Sequence, residues 1–129
     1  QGASLRPILR GKEPEDWRKS MFYAYYEQIS QYGVRTKRYK LVCYTGVRTK
    51  GTKIESYGSP QYEMFDLAKD PLELDSVYDD PAYADVQKRL KNEILKLRKQ
   101  YNVQDKDLPG NWEKHNRDII EKGSKKKQI

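Results

Sequence analysis

Few residues in this chain have the type and spacing that chemistry needs. There is one His and one Cys in 129 residues. His115 stands in a charged stretch with no Cys or second His beside it, so it reads as an exposed imidazole and not as a metal ligand. Cys43 lies among apolar neighbours and reads as a buried, inert thiol. The acidic run from Asp66 to Asp85 is the richest source of carboxylates, but it lacks the Asp-x-Asp-x-Asp-Gly spacing of a calcium loop. No Ser/His/Asp set has a persuasive context, and no Gly-rich phosphate loop is present. Taken alone, the chain offers neither catalytic residues nor a metal site.

The charge is basic and uneven. The formal net charge is +7. Arg35, Lys37, Arg38, Lys40, Arg48, Lys50 and Lys53 form a block without acids. The stretch Glu55–Asp85 holds Glu63, Asp66, Asp70, Glu73, Asp75, Asp79 and Asp80 against the single base Lys69. Such blocks can pair across a fold or lie as solvated faces, and that reading is preferred. The alternative is a stand-alone basic module that holds a polyanion, a sulfated glycan or nucleic acid. It would use Arg35–Lys53 and Lys125–Lys127, with tyrosine rings as stacking surfaces.

Behind these residues stands one ordinary domain with a thin core. The mean hydropathy is −1.09, and the aromatics are 11 Tyr against 2 Phe and 2 Trp. Tyrosine covers apolar surface while keeping a polar tip wet, so amphipathic faces suited to a partner are expected. The first residue is Gln, so the chain reads as beginning inside a longer protein and carries no information on compartment. No apolar run approaches membrane-spanning length.

The clearest element is Asp79–Tyr101. Asp79 or Asp80 can cap it, Pro81 suits a first helical position, and Tyr83, Val86, Leu90, Ile94, Leu97 and Tyr101 recur at steps of three and four. Asn102 is the expected left-handed stop. Ahead of it, Ser4–Gly11 reads as one short amphipathic turn and Lys12–Trp17 as a charged link. Ser20–Glu27 reads as a strand apolar on both sides, with Phe22, Ala24 and Tyr26 facing one way and Met21, Tyr23 and Tyr25 the other. Gly33–Thr45 is either one long strand or a hairpin; Lys37–Arg38 lacks the Gly or Asn that tight turns prefer. Gly46–Gln61 reads as a flexible excursion, Tyr62–Asp66 as a short strand and Leu67–Asp80 as an acidic loop. Beyond Val103–Gly110, a linker, Asn111–Lys122 is expected as a short helix and Ser124–Ile129 as a basic tail.

Several of these segments share one pattern. The runs YGVRTKRYKLVCY, YEMFDLAKDPLEL and DDPAYADVQKRLKNEILKLRKQY resemble the carboxy-terminal region of formylglycine-dependent sulfatases, which reads "VRT-x-RYKLI", a variable loop, "ELYDLxxDPxExxN" and a closing helix. The lead-in SLRPILRGKEPEDWRKSMFYAYYE resembles that family's "SLxPLLxGxxPxxW" segment. The closest likeness is to the bacterial arylsulfatase and sulfoglucosamine-sulfohydrolase branch, over Gly2–Tyr101.

The resemblance implies an α+β fold: a four-stranded antiparallel sheet with one long carboxy-terminal helix packed on one face, the other face docking on a large catalytic domain. It favours the hairpin with Lys37–Arg38 as its turn. It implies a subdomain over residues 1–102, with residues 103–129 as linker, short helix and basic tail. The family's formylglycine nucleophile and its calcium would then belong to an amino-terminal domain, because Cys43 is followed by Tyr44-Thr45 and not by the family's C-x-P-S-R motif. The expected partners are that domain and, in the intact enzyme, a sulfated glycan substrate, with no membrane and no nucleic acid; the expected location is periplasmic or secreted. Many relatives carry His in the loop ahead of the "GVRT" strand, where this chain has the short EQISQY, a departure from the family's substrate contacts; Gln31 and Arg35 are the candidates for residues near the substrate pocket of the intact enzyme. For Arg35, an ion pair with an acid at a domain interface is the equal alternative.

Overall fold

A computed structural model describes residues 3–26, 28–50, 53–56 and 58–109. Its organising element is the expected helix, α2, at Ala84–Gln100. A single 3-10 turn, Pro81–Tyr83, leads into it. The Asp80 carboxylate accepts the Ala82 amide at 2.9 Å, satisfying a donor that the first turn leaves without a carbonyl. Leu90, Ile94 and Leu97 are buried on one stripe, with Tyr83, Val86 and Tyr101 along its margins. The helix stops at Asn102, whose φ of 55° is the left-handed conformation asparagine tolerates. The chain then turns back, and the Val103 amide donates to the Arg98 carbonyl at 2.8 Å.

The stripe is buried against an antiparallel sheet of β1 (Ser20–Tyr25), β2 (Ile29–Thr36), β3 (Tyr39–Lys50), β4 (Lys53–Ser56) and β5 (Gln61–Asp66). The fold class is α+β, as the resemblance implied. The order is β1-β2-β3, and both β4 and β5 pair with β3. β5 accompanies residues 39–44 of β3, and β4 accompanies residues 47–50. The body of the sheet is therefore four strands wide, and β4 extends it. The expected flexible excursion over Gly46–Gln61 is corrected here: β3 continues for 12 residues and folds back into β4. Gly46, at φ 74°, marks the change of partner, and a Cβ there would lie 2.1 Å from the Gly58 carbonyl oxygen. Only glycine fits where the connection from β4 to β5 passes so close to β3.

β2 and β3 do form a hairpin around Lys37–Arg38. The turn uses Thr36 in place of a glycine. Its hydroxyl accepts the Tyr39 amide at 2.9 Å and lies 3.1 Å from the Tyr39 carbonyl oxygen, to which it donates. Strand β2 starts at Ile29, earlier than the expected Gly33.

Register sorts the side chains into rows. On the helix side, Phe22–Val34–Leu41–Met64 forms the central row and Ala24–Tyr32–Cys43–Tyr62 the next. Val34, Leu41 and Met64 join Leu90, Ile94 and Leu97 in the core. On the other side the rows are Met21–Arg35–Lys40–Phe65, Tyr23–Gly33–Val42–Glu63 and Tyr25–Gln31–Tyr44–Gln61. No helix covers these rows among the described residues. The short α1 (Arg6–Leu9) precedes the sheet. Residues 103–109 lie against the domain: the Arg98 guanidinium pairs with Asp105 at 2.5 Å, the Tyr26 hydroxyl donates to the Asp107 carbonyl at 2.7 Å, and Leu108 is buried. The expected helix Asn111–Lys122 and the tail with Lys125–Lys127 lie outside the described residues.

Candidate functional site

The uncovered side of the sheet is the candidate site, and its charges are settled internally. Glu73 reaches onto it from the loop after β5. Its carboxylate pairs with the Lys40 ammonium and lies 3.6 Å from the Arg35 guanidinium. Lys40 also stands 6.0 Å from the centre of the Phe65 ring, a cation–π contact across the row. In the neighbouring row, the Tyr44 hydroxyl donates to Glu63 at 2.6 Å. Two cations and two carboxylates thus meet partners within the face.

The loop that delivers Glu73 is the FDLAKDPLEL segment, and each polar residue in it has a mechanical task. The Asp66 carbonyl accepts the amides of Lys69 and Asp70, closing the turn at the end of β5. The Asp70 carboxylate accepts the amides of Leu74 at 2.7 Å and Asp75 at 2.9 Å. These two bonds bend the chain around Pro71, and Glu73 takes a left-handed φ of 58°. In consequence Glu73 turns toward the sheet while Leu72 and Leu74 stand outward, each 75% exposed. At the helix side of the same turn, Arg38 forks onto the buried Asp66, and the Tyr83 hydroxyl, also accepting from Lys69, reaches the same carboxylate at 3.3 Å. Hydrogen bonds from Arg38, outweighing burial, hold the Asp66 carboxyl below the usual carboxylate range. Arg35, Arg38 and Lys40 of the basic block are therefore answered by Glu73 and Asp66 of the acidic block that follows, which favours the paired-charge reading over a polyanion site on these three residues.

Tyr23 fills the middle of the uncovered side. Its ring lies over Gly33, where a Cβ would come 2.6 Å from the phenol oxygen and 2.1 Å from the Leu41 carbonyl oxygen. The Tyr23 hydroxyl lies 3.4 Å from that same carbonyl, its acceptor. Burial, and then the neighbouring Tyr44, push the Tyr23 phenol above its ordinary value. The edges remain open: Met21 is 47% exposed and Tyr25 44%.

Gln31 and Arg35, the residues the sequence singled out, share this face but not one spot. They lie four residues apart on β2, roughly 13 Å at the usual rise of a strand. Gln31 sits half-buried between Tyr25 and Tyr44, and Arg35 between Met21 and Lys40. The Arg35 side chain is half-exposed and lies 3.6 Å from the Glu73 carboxylate, so part of its guanidinium faces outward. Sequence reasoning missed Glu73 and Tyr23. Glu73 belongs to the acidic block, and nothing in its spacing says that the loop curls under the sheet. Gly33, a lone glycine inside a strand pattern, was the available signal for a close approach such as that of Tyr23.

The site contains no nucleophile beside a base. Cys43 is buried on the opposite, helix-covered side between Tyr32 and Tyr62. Among the described residues no group of three His, Cys, Asp or Glu side chains is placed to hold a metal ion, and no helix is long and apolar enough to cross a membrane.

The domain is thus a thin α+β layer with one side covered by its own helix and the other bearing no helix among the described residues, its cations and carboxylates partnered and its edges apolar. The sequence matches the family described as N-sulphoglucosamine sulphohydrolase, C-terminal, over residues 1–100, and the chain belongs to that family. It is 35% identical over 111 residues to an N-acetylglucosamine-6-O-sulfatase of Bacteroides thetaiotaomicron, covering 83% of this chain and 19% of the relative. Among solved structures it resembles BT4656, described in complex with its substrate D-glucosamine-2-N,6-O-disulfate, with a TM-score of 0.70, 34% identity and coverage of 83% of this chain and 21% of that one. It also resembles the phosphonate monoester hydrolase of Agrobacterium radiobacter, with a TM-score of 0.58 and 28% identity over 77% of this chain and 20% of that one. The chain spans about a fifth of the length of these relatives. It is a carboxy-terminal sulfatase-family domain.

Proposed function

We propose that this domain is the non-catalytic carboxy-terminal lobe of a sulfuric ester hydrolase, and that the uncovered side of its sheet packs on the catalytic domain of the same polypeptide. The observation that carries this reading is the state of that side. Its ionic groups are paired within the chain, so it can lose water without stranding a charge, while Met21 and Tyr25 remain open to a partner. Residues 1–102 form the lobe in this reading, residues 103–109 run along it as the start of the linker, and the short helix and basic tail belong to the remainder of 103–129. Formylglycine and calcium belong to the catalytic domain. The residues present here do not fit either group, since Cys43 lies away from the open side and no ligand cluster occurs among the described residues. The substrate class is a sulfated glycan, and the location is periplasmic or secreted.

Within the intact enzyme, Gln31 and Arg35 stand at the rim of the substrate pocket. Arg35 contributes the part of its guanidinium that Glu73 does not occupy, a donor suited to a sulfate oxygen. The test has two parts. The isolated chain, supplied with calcium, turns over no aryl sulfate; measurable turnover by pure chain refutes the non-catalytic role. In the intact enzyme, Arg35→Ala and Gln31→Ala raise KM for a sulfated disaccharide with the melting temperature retained. An unchanged KM in both variants removes them from the pocket.

A further inference from the structure

Burial of the open side accounts for the sheet but not for the loop beside it. Among the described residues, Leu72 and Leu74 are the most exposed large apolar side chains outside the lead-in, and they sit on a loop that is tied down. Asp70 fixes the backbone at Leu74 and Asp75, the Asp66 carbonyl holds Lys69 and Asp70, the Glu73 amide donates to the Asp70 carbonyl at 3.3 Å, and the Glu73 side chain is pinned to Lys40. A flexible loop could fold its leucines inward. This one is prevented from doing so, because Glu73 occupies the inward direction and its left-handed backbone turns both neighbours out. Two apolar side chains held outward on a preordered loop lose little further entropy when they enter a pocket, which is how a small number of residues comes to dominate an interface.

We infer that Leu72 and Leu74 are the anchor residues of the contact with the catalytic domain of the same polypeptide, entering an apolar recess on it beside the sheet. This rests on the docking of the open side proposed above. The occupant follows from continuity: Glu73 lies between the two leucines and belongs to the uncovered side, so a body that covers Met21, Arg35 and Lys40 meets the loop at the same edge. It follows also from the relatives, four-fifths of whose length lies outside the region matched here.

The experiment uses the intact polypeptide with a protease site placed ahead of residue 1. After cleavage, the two fragments of the unaltered protein stay together on size exclusion. The double variant Leu72→Asp/Leu74→Asp weakens their association by more than about tenfold. Its carboxy-terminal fragment alone melts as the unaltered one does, because both side chains are already in water in the free domain. Leu95→Asp, at a position 60% exposed on α2, leaves the association unchanged. If the double variant associates as tightly as the unaltered fragments, the leucines are not anchors, although the docking of the sheet stands. If the unaltered fragments part on cleavage, the docking itself is wrong and the inference goes with it.

Discussion

Arg38 donates two parallel hydrogen bonds to Asp66, each 2.9 Å long, across 28 residues of sequence. The pair joins the β2–β3 turn to the end of β5, and the Leu67 amide donates to the Arg38 carbonyl at 2.7 Å beside it. The two partners are not equivalent: the Asp66 side chain is 2% exposed and that of Arg38 is 52%. Removing Arg38 leaves a buried carboxylate with only the Ala68 amide and the Tyr83 hydroxyl, both at 3.3 Å. Removing the charge on Asp66 leaves a guanidinium that water can solvate. Arg38→Ala is therefore expected to lower the midpoint of urea unfolding more than Asp66→Asn does. The reverse order would mean that the carboxylate's bonds to the Ala68 amide and the Tyr83 hydroxyl matter more to the fold than Arg38 does.

The same carboxylate sets an acid limit. Its pKa is depressed in the fold, chiefly by Arg38. Its contribution is present above the carboxylate's ordinary value, near 4, and is lost as pH falls through the folded value. Chemical unfolding between pH 6 and pH 2 should show stability dropping over the acid end of that range, with a smaller drop in Asp66→Asn. In Arg38→Ala the carboxyl no longer gains from ionising, so acidification should cost that variant less than it costs the unaltered protein.

Tyrosines set the alkaline limit. Burial first, and then a hydrogen bond with Cys43, push Tyr62 up to about 12, and the same two causes raise Tyr32. A phenol raised above its unfolded value of about 10 favours the fold below that pH, and the gain disappears as pH rises through the folded value. Absorbance at 295 nm should therefore show a late group of tyrosines ionising together with loss of the far-ultraviolet circular dichroism signal. A single step near 10 with the fold retained would contradict the burial of these rings between the sheet and α2.

On α2, Leu90 and Leu95 provide a controlled comparison. Leu90 is 2% exposed and in the core cluster, while Leu95 is 60% exposed. Leu90→Ala should cost about 2–5 kcal/mol through lost contact and the cavity left behind. Leu95→Ala should stay within about 0.5 kcal/mol. Gly33→Ala belongs with Leu90→Ala in effect though not in cause. Its new methyl would displace Tyr23 and crowd the Leu41 carbonyl, an overpacking cost at or above the upper end of about 1–3 kcal/mol. Equal stability for Leu90→Ala and Leu95→Ala would mean that α2 does not bury its stripe on the sheet.

What could be read from sequence was whatever is local. The stripe of α2, the Asp80 cap, the Asn102 stop and the alternation of β1 each follow from residues within a few positions of one another. β4 was missed because Gly46, Gly51 and Gly58 look like loop punctuation, and a glycine that lets a connection pass close to a strand is indistinguishable in sequence from one that marks flexibility. The β2–β3 turn was ambiguous because Thr36 performs by side chain what turns usually achieve with Gly or Asn. Arg35 could be placed on a strand and Gln31 only in the loop before it, and neither could be related to Glu73, since pairing between residues 35 and 73 depends on the curl of a loop fixed by Asp70. The charge blocks foreshadowed that pairing only as a sum.

Glu73 combines a strained backbone with a paired side chain, and the two can be separated. At φ 58° any residue with a Cβ is disfavoured, by roughly 1–2 kcal/mol relative to glycine. Glu73→Gly removes the pairing with Lys40 and Arg35 but relieves the strain, whereas Glu73→Ala removes the pairing and keeps it. Glu73→Gly is accordingly expected to be about 1 kcal/mol more stable than Glu73→Ala. Both variants leave Lys40, whose side chain is 23% exposed, without its carboxylate. Both should therefore dock less tightly on the catalytic domain at low salt, because covering the sheet would then bury an unpaired ammonium. Measuring the two variants side by side distinguishes the roles. Equal melting temperatures would show that the backbone relaxes out of the left-handed region when the pair is cut, and unchanged docking would show that the clamp is not what prepares this side of the sheet to lose water.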